Sequence, residues 1–116
     1  MKTVLHIDEA KKWPLTLGNA KNMVKYAEEM GIDFDLEIVA NDEAVRQLQD
    51  DLAKTEGYYA DIEELALETV KFAACRNAMN KYDIKENSLI PFVEVVPAGI
   101  AELTRKQHEG FAYIKP

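Results

Sequence analysis

The chain has a single cysteine, a count that rules out an internal disulfide and fits a reducing compartment while leaving one free thiol for chemistry. Positive charge is also scarce. Fourteen Lys and Arg stand against 21 Asp and Glu, and the resulting formal charge of -7 repels a phosphate backbone instead of displacing its counterions. Nucleic acid and anionic membrane are therefore not expected as partners. No apolar run of about 18 residues occurs. The start, Met1-Lys2-Thr3-Val4-Leu5-His6-Ile7-Asp8, becomes charged too soon for the apolar region of a signal peptide, so a cytoplasmic protein is expected. Gly18 and Gly99 stand alone, with neither G-x-G-x-x-G nor G-x-x-x-x-G-K-[ST] around them. No nucleotide or other cofactor is expected. The side chains able to bind metal, Cys75, His6, Asp8 and His108, are scattered singly without a short-spaced pair, and no metal is expected either.

What remains is enough for one domain: 116 residues, 47% of them hydrophobic, can bury a core of useful size. Strand and helix patterns alternate along the chain. Thr3 to Ile7 is apolar or β-branched apart from His6 and stops at Asp8. From Leu17 to Met30, Leu17, Ala20, Val24 and Ala27 recur three and four apart, and Gly31 supplies a helix C-cap. Phe34 to Ala40 is a second strand-like run. Asp42 to Leu52 is a weaker helical stretch with Asn41 or Asp42 as its cap, and Asp61-Ile62-Glu63-Glu64 has capping-box spacing for a helix starting near Asp61. Gly57-Tyr58-Tyr59 between them reads as a turn with partly buried rings, with a ligand lid or subunit contact as the alternative. Thr69 to Ala74 makes a third strand and Arg76 to Tyr82 about two helical turns. Phe92 to Val96, Ile100 to His108 and Phe111 to Ile114 complete a strand, helix and strand. This alternation predicts a three-layer α/β/α sandwich on a mostly parallel five-stranded sheet, with a flavodoxin- or Rossmann-like outline. Glu37 and Glu94 interrupt strand runs, which suggests a sheet edge, a polar subunit interface or plain exposure.

Parallel sheets bind and react at the carboxyl ends of their strands, and four strand-end turns should gather there: residues 8–15, 40–42, 75–77 and 97–99. A pocket at that edge would have Cys75 in its wall, at the start of a helix whose amides, with Arg76, favour a thiolate. The effect is modest. A helix terminus contributes ~0.3–1 kcal/mol, under the about 1.4 kcal/mol of one pKa unit, and Asp8 would oppose it if close. The competing interpretation is a small hydrophobe packed after Phe72-Ala73-Ala74, since free cysteine is among the most buried residue types. His6 is the better placed imidazole for Cys/His chemistry, with satisfaction by a backbone group as its alternative. His108 reads as a favourable charge at a helix C-terminus.

Beyond these patterns the chain resembles the DsrE/DsrF-like family of small α/β sulfur-relay proteins, including its YchN-like group. The resemblance runs through Val4-Leu5-His6-Ile7-Asp8, Leu17-Gly18-Asn19-Ala20-Lys21-Asn22, Glu37-Ile38-Val39-Ala40, Phe72-Ala73-Ala74-Cys75-Arg76-Asn77, Val95-Val96-Pro97-Ala98-Gly99-Ile100 and the closing Gln107-His108-Glu109-Gly110-Phe111-Ala112-Tyr113-Ile114-Lys115-Pro116. It implies one domain over residues 1–116, with Cys75 as the thiol that accepts sulfur as a persulfide. It also implies a homotrimer or homohexamer, with sulfur donor and acceptor proteins as partners. On that basis Arg76 and Asn77 would help hold the sulfur's charge, and His6, Asp8, Asn19, Asn22, Pro97 and Gly99 would shape the pocket. The chain has no second cysteine, and by its ending it resembles the stand-alone branch, so a metabolite-binding or assembly module with a structural cysteine is the other expectation.

Overall fold

The computed structural model describes residues 1–116. Five strands, β1 (Lys2–Ile7), β2 (Asp35–Ala40), β3 (Lys71–Cys75), β4 (Glu94–Val96) and β5 (Ala112–Ile114), pair in parallel in the order β4-β3-β2-β1-β5. The helices are α1 (Trp13–Met30), α2 (Asp50–Thr55), α3 (Tyr59–Leu67), α4 (Arg76–Lys81) and α5 (Gly99–His108), with a longer 3₁₀ segment over Asp42–Leu48. The expected parallel α/β sheet with helices on both sides is the observed one.

Strand order explains how the layers divide. From β1 to β4 each strand is laid beside the last in one direction, so right-handed crossovers put α1 to α4 on one face. The step from β4 to β5 runs back across the sheet and carries α5 over the opposite face. That reversal distinguishes the chain from a flavodoxin order, where the turnaround comes near the first strand. The two faces are unequal. The α1 side holds a cluster of 24 buried residues built on Trp13, Ile38, Phe72 and Ile90, whereas the α5 side holds five: Val4, Val39, Ala73, Val96 and Leu103.

Several boundaries move for identifiable reasons. Helix α1 begins at Trp13, four residues before the apolar stripe starts, because Pro14 suits a first helical turn and the buried Trp13 indole N–H donates to the Ala44 carbonyl at 3.1 Å. At its other end Gly31 takes φ 64°, a left-handed cap that glycine adopts without penalty. The stretch expected as one helix over residues 42–52 is split at Gln49, which leaves helical geometry to bridge Leu89. Neither Asn41 nor Asp42 caps it through a side chain. Helix α3 starts at Tyr59, two residues early, and Asp61 is no cap: its carboxylate binds Lys21 at 2.6 Å. Tyr58 and Tyr59 are half-buried against the core, beside Gly57 in the turn. Glu94 lies exposed on the edge strand, but Glu37 is on central β2, paired on both sides and 2% exposed, so exposure and edge position are both wrong for it.

Candidate functional site

In an open parallel sheet the carboxyl-end crevice lies between neighbouring strands whose onward connections leave toward opposite faces. Here that pair is β3 and β4, since α4 follows β3 on one side and α5 follows β4 on the other. Cys75 is the last residue of β3, and the Pro97-Ala98 turn leads from β4 into α5. The chain's one thiol is thus at the switch point.

The amide that reaches the sulfur comes from across this gap. The Gly99 N–H, at the start of the ten-residue α5, donates to Cys75 Sγ at 3.2 Å. This differs from the expectation that Cys75 is served by the helix directly after it. Cys75 is the N-cap of α4 but makes no side-chain cap bond there. Gly99 suits the tight approach: a Cβ at this position would lie 3.2 Å from Asn41 Cβ, 3.3 Å from Cys75 Cβ and 3.5 Å from Asn41 Nδ2.

Asn41, just past the end of β2, ties the thiol's surroundings to β1. His6 Nε2 donates to Asn41 Oδ1 at 3.1 Å, and His6 Nδ1 is hydrogen-bonded to the Tyr113 hydroxyl at 2.6 Å from edge strand β5. His6 is therefore held by two side chains, not by a backbone group, and its ring is engaged with Asn41. In the sequence Asn41 reads only as a helix cap. Its role was hidden because the close approach of β2's end to Gly99 depends on the strand order.

The other expected site residues are distributed as follows. Asp8 pairs with Lys115 at 3.1 Å, which offsets its charge. Arg76 reaches away to Glu86 at 2.7 Å, and Asn77 is exposed, so neither is seen to serve the sulfur. Asn19 and Asn22 line a separate cavity of about 380 Å³ with Thr3, Leu5, Tyr26 and Ile114. Cys75 is not among the residues lining that cavity. Pro97 is exposed in the turn before α5, and His108 lies in the last turn of that helix. Cys75 itself is 6% exposed and none of the five main cavities opens onto it, which corrects the expectation of a thiol in an open pocket wall.

A second polar arrangement lies under α5. Burial, the Glu102 hydrogen bond and the Glu102 charge raise Glu37 from 4.5 to about 8, so it is largely protonated at neutral pH. Burial would raise Glu102 too, but hydrogen bonds from Glu37 and Arg105 outweigh it and leave that carboxyl below its usual value. No helix is long and apolar enough to cross a membrane.

Solved structures share this architecture. A protein of unknown function from Methanobacterium thermoautotrophicum, MTH1491, superposes with TM-score 0.86 and 31% identity over 98% of this chain and 97% of its own. The ychN protein of E. coli gives TM-score 0.72 at 17% identity over the full length of both chains. BT1422 of Bacteroides thetaiotaomicron, also of unknown function, gives 0.74 at 14% over 99% of this chain and 94% of its own. No curated protein matches the chain. The family model matches residues 17–116, from the first turns of α1 through β5 and including the β3–β4 switch point, and the chain belongs to the DsrE/DsrF-like family.

Proposed function

We propose that this protein is a cytosolic, homo-oligomeric sulfur carrier, formed as one domain over residues 1–116, with Cys75 as the persulfide-accepting thiolate. The observation that carries the proposal is the Gly99 N–H donated to Cys75 Sγ at 3.2 Å from the first residue of a ten-residue helix. A donor amide with a helix dipole behind it favours the charged form of an acceptor sulfur and of a terminal persulfide sulfur. Cys75 thiolate attacks the outer sulfur of a donor persulfide; the new bond joins Sγ to that sulfur, the donor's S–S bond breaks, and the donor departs as its own thiolate. Low exposure adds a condition. The Pro97-Ala98 turn, or the Asn41 loop facing it, gives way when a sulfur donor approaches.

Mass spectrometry after incubation with a small-molecule persulfide donor tests this directly. One added sulfur on the native chain and none on Cys75→Ser is expected; no addition, or equal addition to both, overturns it.

The 6% exposure of Cys75 favours a second reading, a binding or assembly module whose cysteine is structural. A thiol that stays inert to iodoacetamide in the folded protein and reacts only on unfolding would select it.

A further inference from the structure

The sheet face beneath α1 is not covered out to its edge. Thr3, Leu5 and Leu36 point to that face, and Ile114 of β5, in register with Leu5, continues it past the helix. Helix α1 packs its buried stripe into the same core as Leu5 and Leu36, but Ile114 stays 44% exposed. Between α1 and edge strand β5 lies a cavity of about 380 Å³, within the ~300–1,000 Å³ of small-molecule sites. Its floor is deep. Thr3 is 5% exposed, and Leu5 and Leu36 are 3% exposed.

Charged residues make up 30% of the chain, yet none lines this cavity, so a charged ligand would give up its water here without gaining a counter-charge. Polar groups are present instead. The Thr3 hydroxyl, on the floor, has no hydrogen-bond partner in the chain, and neither do the carboxamides of Asn19 and Asn22 or the Tyr26 hydroxyl on α1. Asn19, Asn22 and Tyr26 recur three and four apart and so share one side of that helix. A hydroxyl at the bottom of such a cavity takes its hydrogen bond from whatever enters. Carboxamides and hydroxyls each donate and accept, which matches a ligand edge that does both. A second copy pairing with β5 would lie beside it in the plane of the sheet, not on the face where Thr3 sits.

We propose that the cavity between α1 and β5 is a binding site for a small uncharged molecule with an apolar ring and an amide-like edge. The edge meets Thr3, Asn19 and Asn22, and the ring lies on Leu5, Leu36 and Ile114 beside Tyr26. This site is separate from the thiol. Cys75 does not line it, and binding there stands whether or not Cys75 carries sulfur.

Benzamide and benzoate, alike in shape but neutral and charged respectively, serve as probes in two-dimensional NMR of the whole chain. Benzamide is expected to shift the Asn19 and Asn22 side-chain amides and the Ile114 backbone amide together, saturating in the low millimolar range, with benzoate at least about tenfold weaker. Thr3→Val keeps the shape and removes the hydroxyl, and it should weaken benzamide about fivefold; Asn19→Ala, on the partly exposed side of α1, should do so by a similar factor. No saturating shift with benzamide, equal binding of benzoate, or unchanged binding in either variant overturns the site. A dilution series tests the competing occupant. If the Asn22, Tyr26 and Ile114 resonances move with protein concentration, and Ile114→Lys abolishes that movement and lowers the mass in sedimentation, a second copy covers the groove and the proposal is overturned as well.

Discussion

Cys75 and Gly99 are 24 residues apart in the chain, yet the amide of one points at the sulfur of the other across the gap between β3 and β4. Gly99→Ala would force a Cβ to 3.2 Å from Asn41 Cβ and 3.3 Å from Cys75 Cβ, and both of those atoms are held by backbone. The first turn of α5 or the Asn41 and Cys75 side chains must therefore give by a few tenths of an ångström. A stability loss of about 1–3 kcal/mol is expected, the usual cost of overpacking, measured by denaturant unfolding. Iodoacetamide should also label Cys75 faster in this variant than in the native protein, since the covering turn is displaced. Unchanged stability and labelling would show that the approach is looser than the geometry gives.

Asn41 offers a change of charge at nearly constant shape. Asn41→Asp keeps an oxygen for His6 Nε2 but replaces the Nδ2 group near Gly99 with a negative charge beside the sulfur site. A like charge disfavours a thiolate, and about 1 kcal/mol of repulsion in a partly screened site corresponds to roughly fivefold slower alkylation at neutral pH. Labelling kinetics against the native chain measure it. A rate that is equal or higher would place Asn41 outside the electrostatic reach of Cys75.

The sheet was legible in the sequence because its strands are covered on both faces and read as near-continuous apolar runs: Thr3 to Ile7, Phe34 to Ala40 and Thr69 to Ala74 each contain the observed strand or most of it. Cys75 could be placed at a strand end for the same reason. Its partner Gly99, and the chain of contacts beyond it through Asn41, His6 and Tyr113, could not be read, since these residues come from four segments whose meeting depends on the strand order. The placement of Asn19 and Asn22 depends on the same strand order. Their helix covers the thiol's sheet, but their side chains line the cavity beside Ile114 on the β1–β5 side.

Trp13 anchors the start of α1 and offers a stability test away from the thiol. It is fully buried, and its indole N–H donates to the Ala44 carbonyl at 3.1 Å. Trp13→Phe removes that donor, leaves the carbonyl without it and opens space in the larger core. A loss of about 2–4 kcal/mol is expected from the unsatisfied group and the cavity together. Thermal and denaturant unfolding check the size, and a change below about 1 kcal/mol would mean that water or a shift of residues 42–48 satisfies Ala44 instead.

Glu37 gives the stability curve of the whole protein a specific shape. Its value rises from 4.5 to about 8 in the folded chain, chiefly through burial and then through Glu102, so the folded state holds a proton that the unfolded state releases. The stabilisation from that proton is complete below about pH 4.5, declines as pH rises, and is gone above about pH 8. Glu102, lowered in the folded state, acts in the opposite sense and in a different range, adding stability above its ordinary value that is lost only as pH falls through its folded one. The two effects therefore separate along the pH axis. Glu37→Gln keeps an N–H for Glu102 and removes the titration, so its stability should stay level from pH 5 to 9 where the native chain's falls by about 1–3 kcal/mol. Denaturant unfolding at several pH values measures both slopes. Parallel curves for the two proteins would mean that water reaches the Glu37 carboxylate and that the pair under α5 holds no proton in this range.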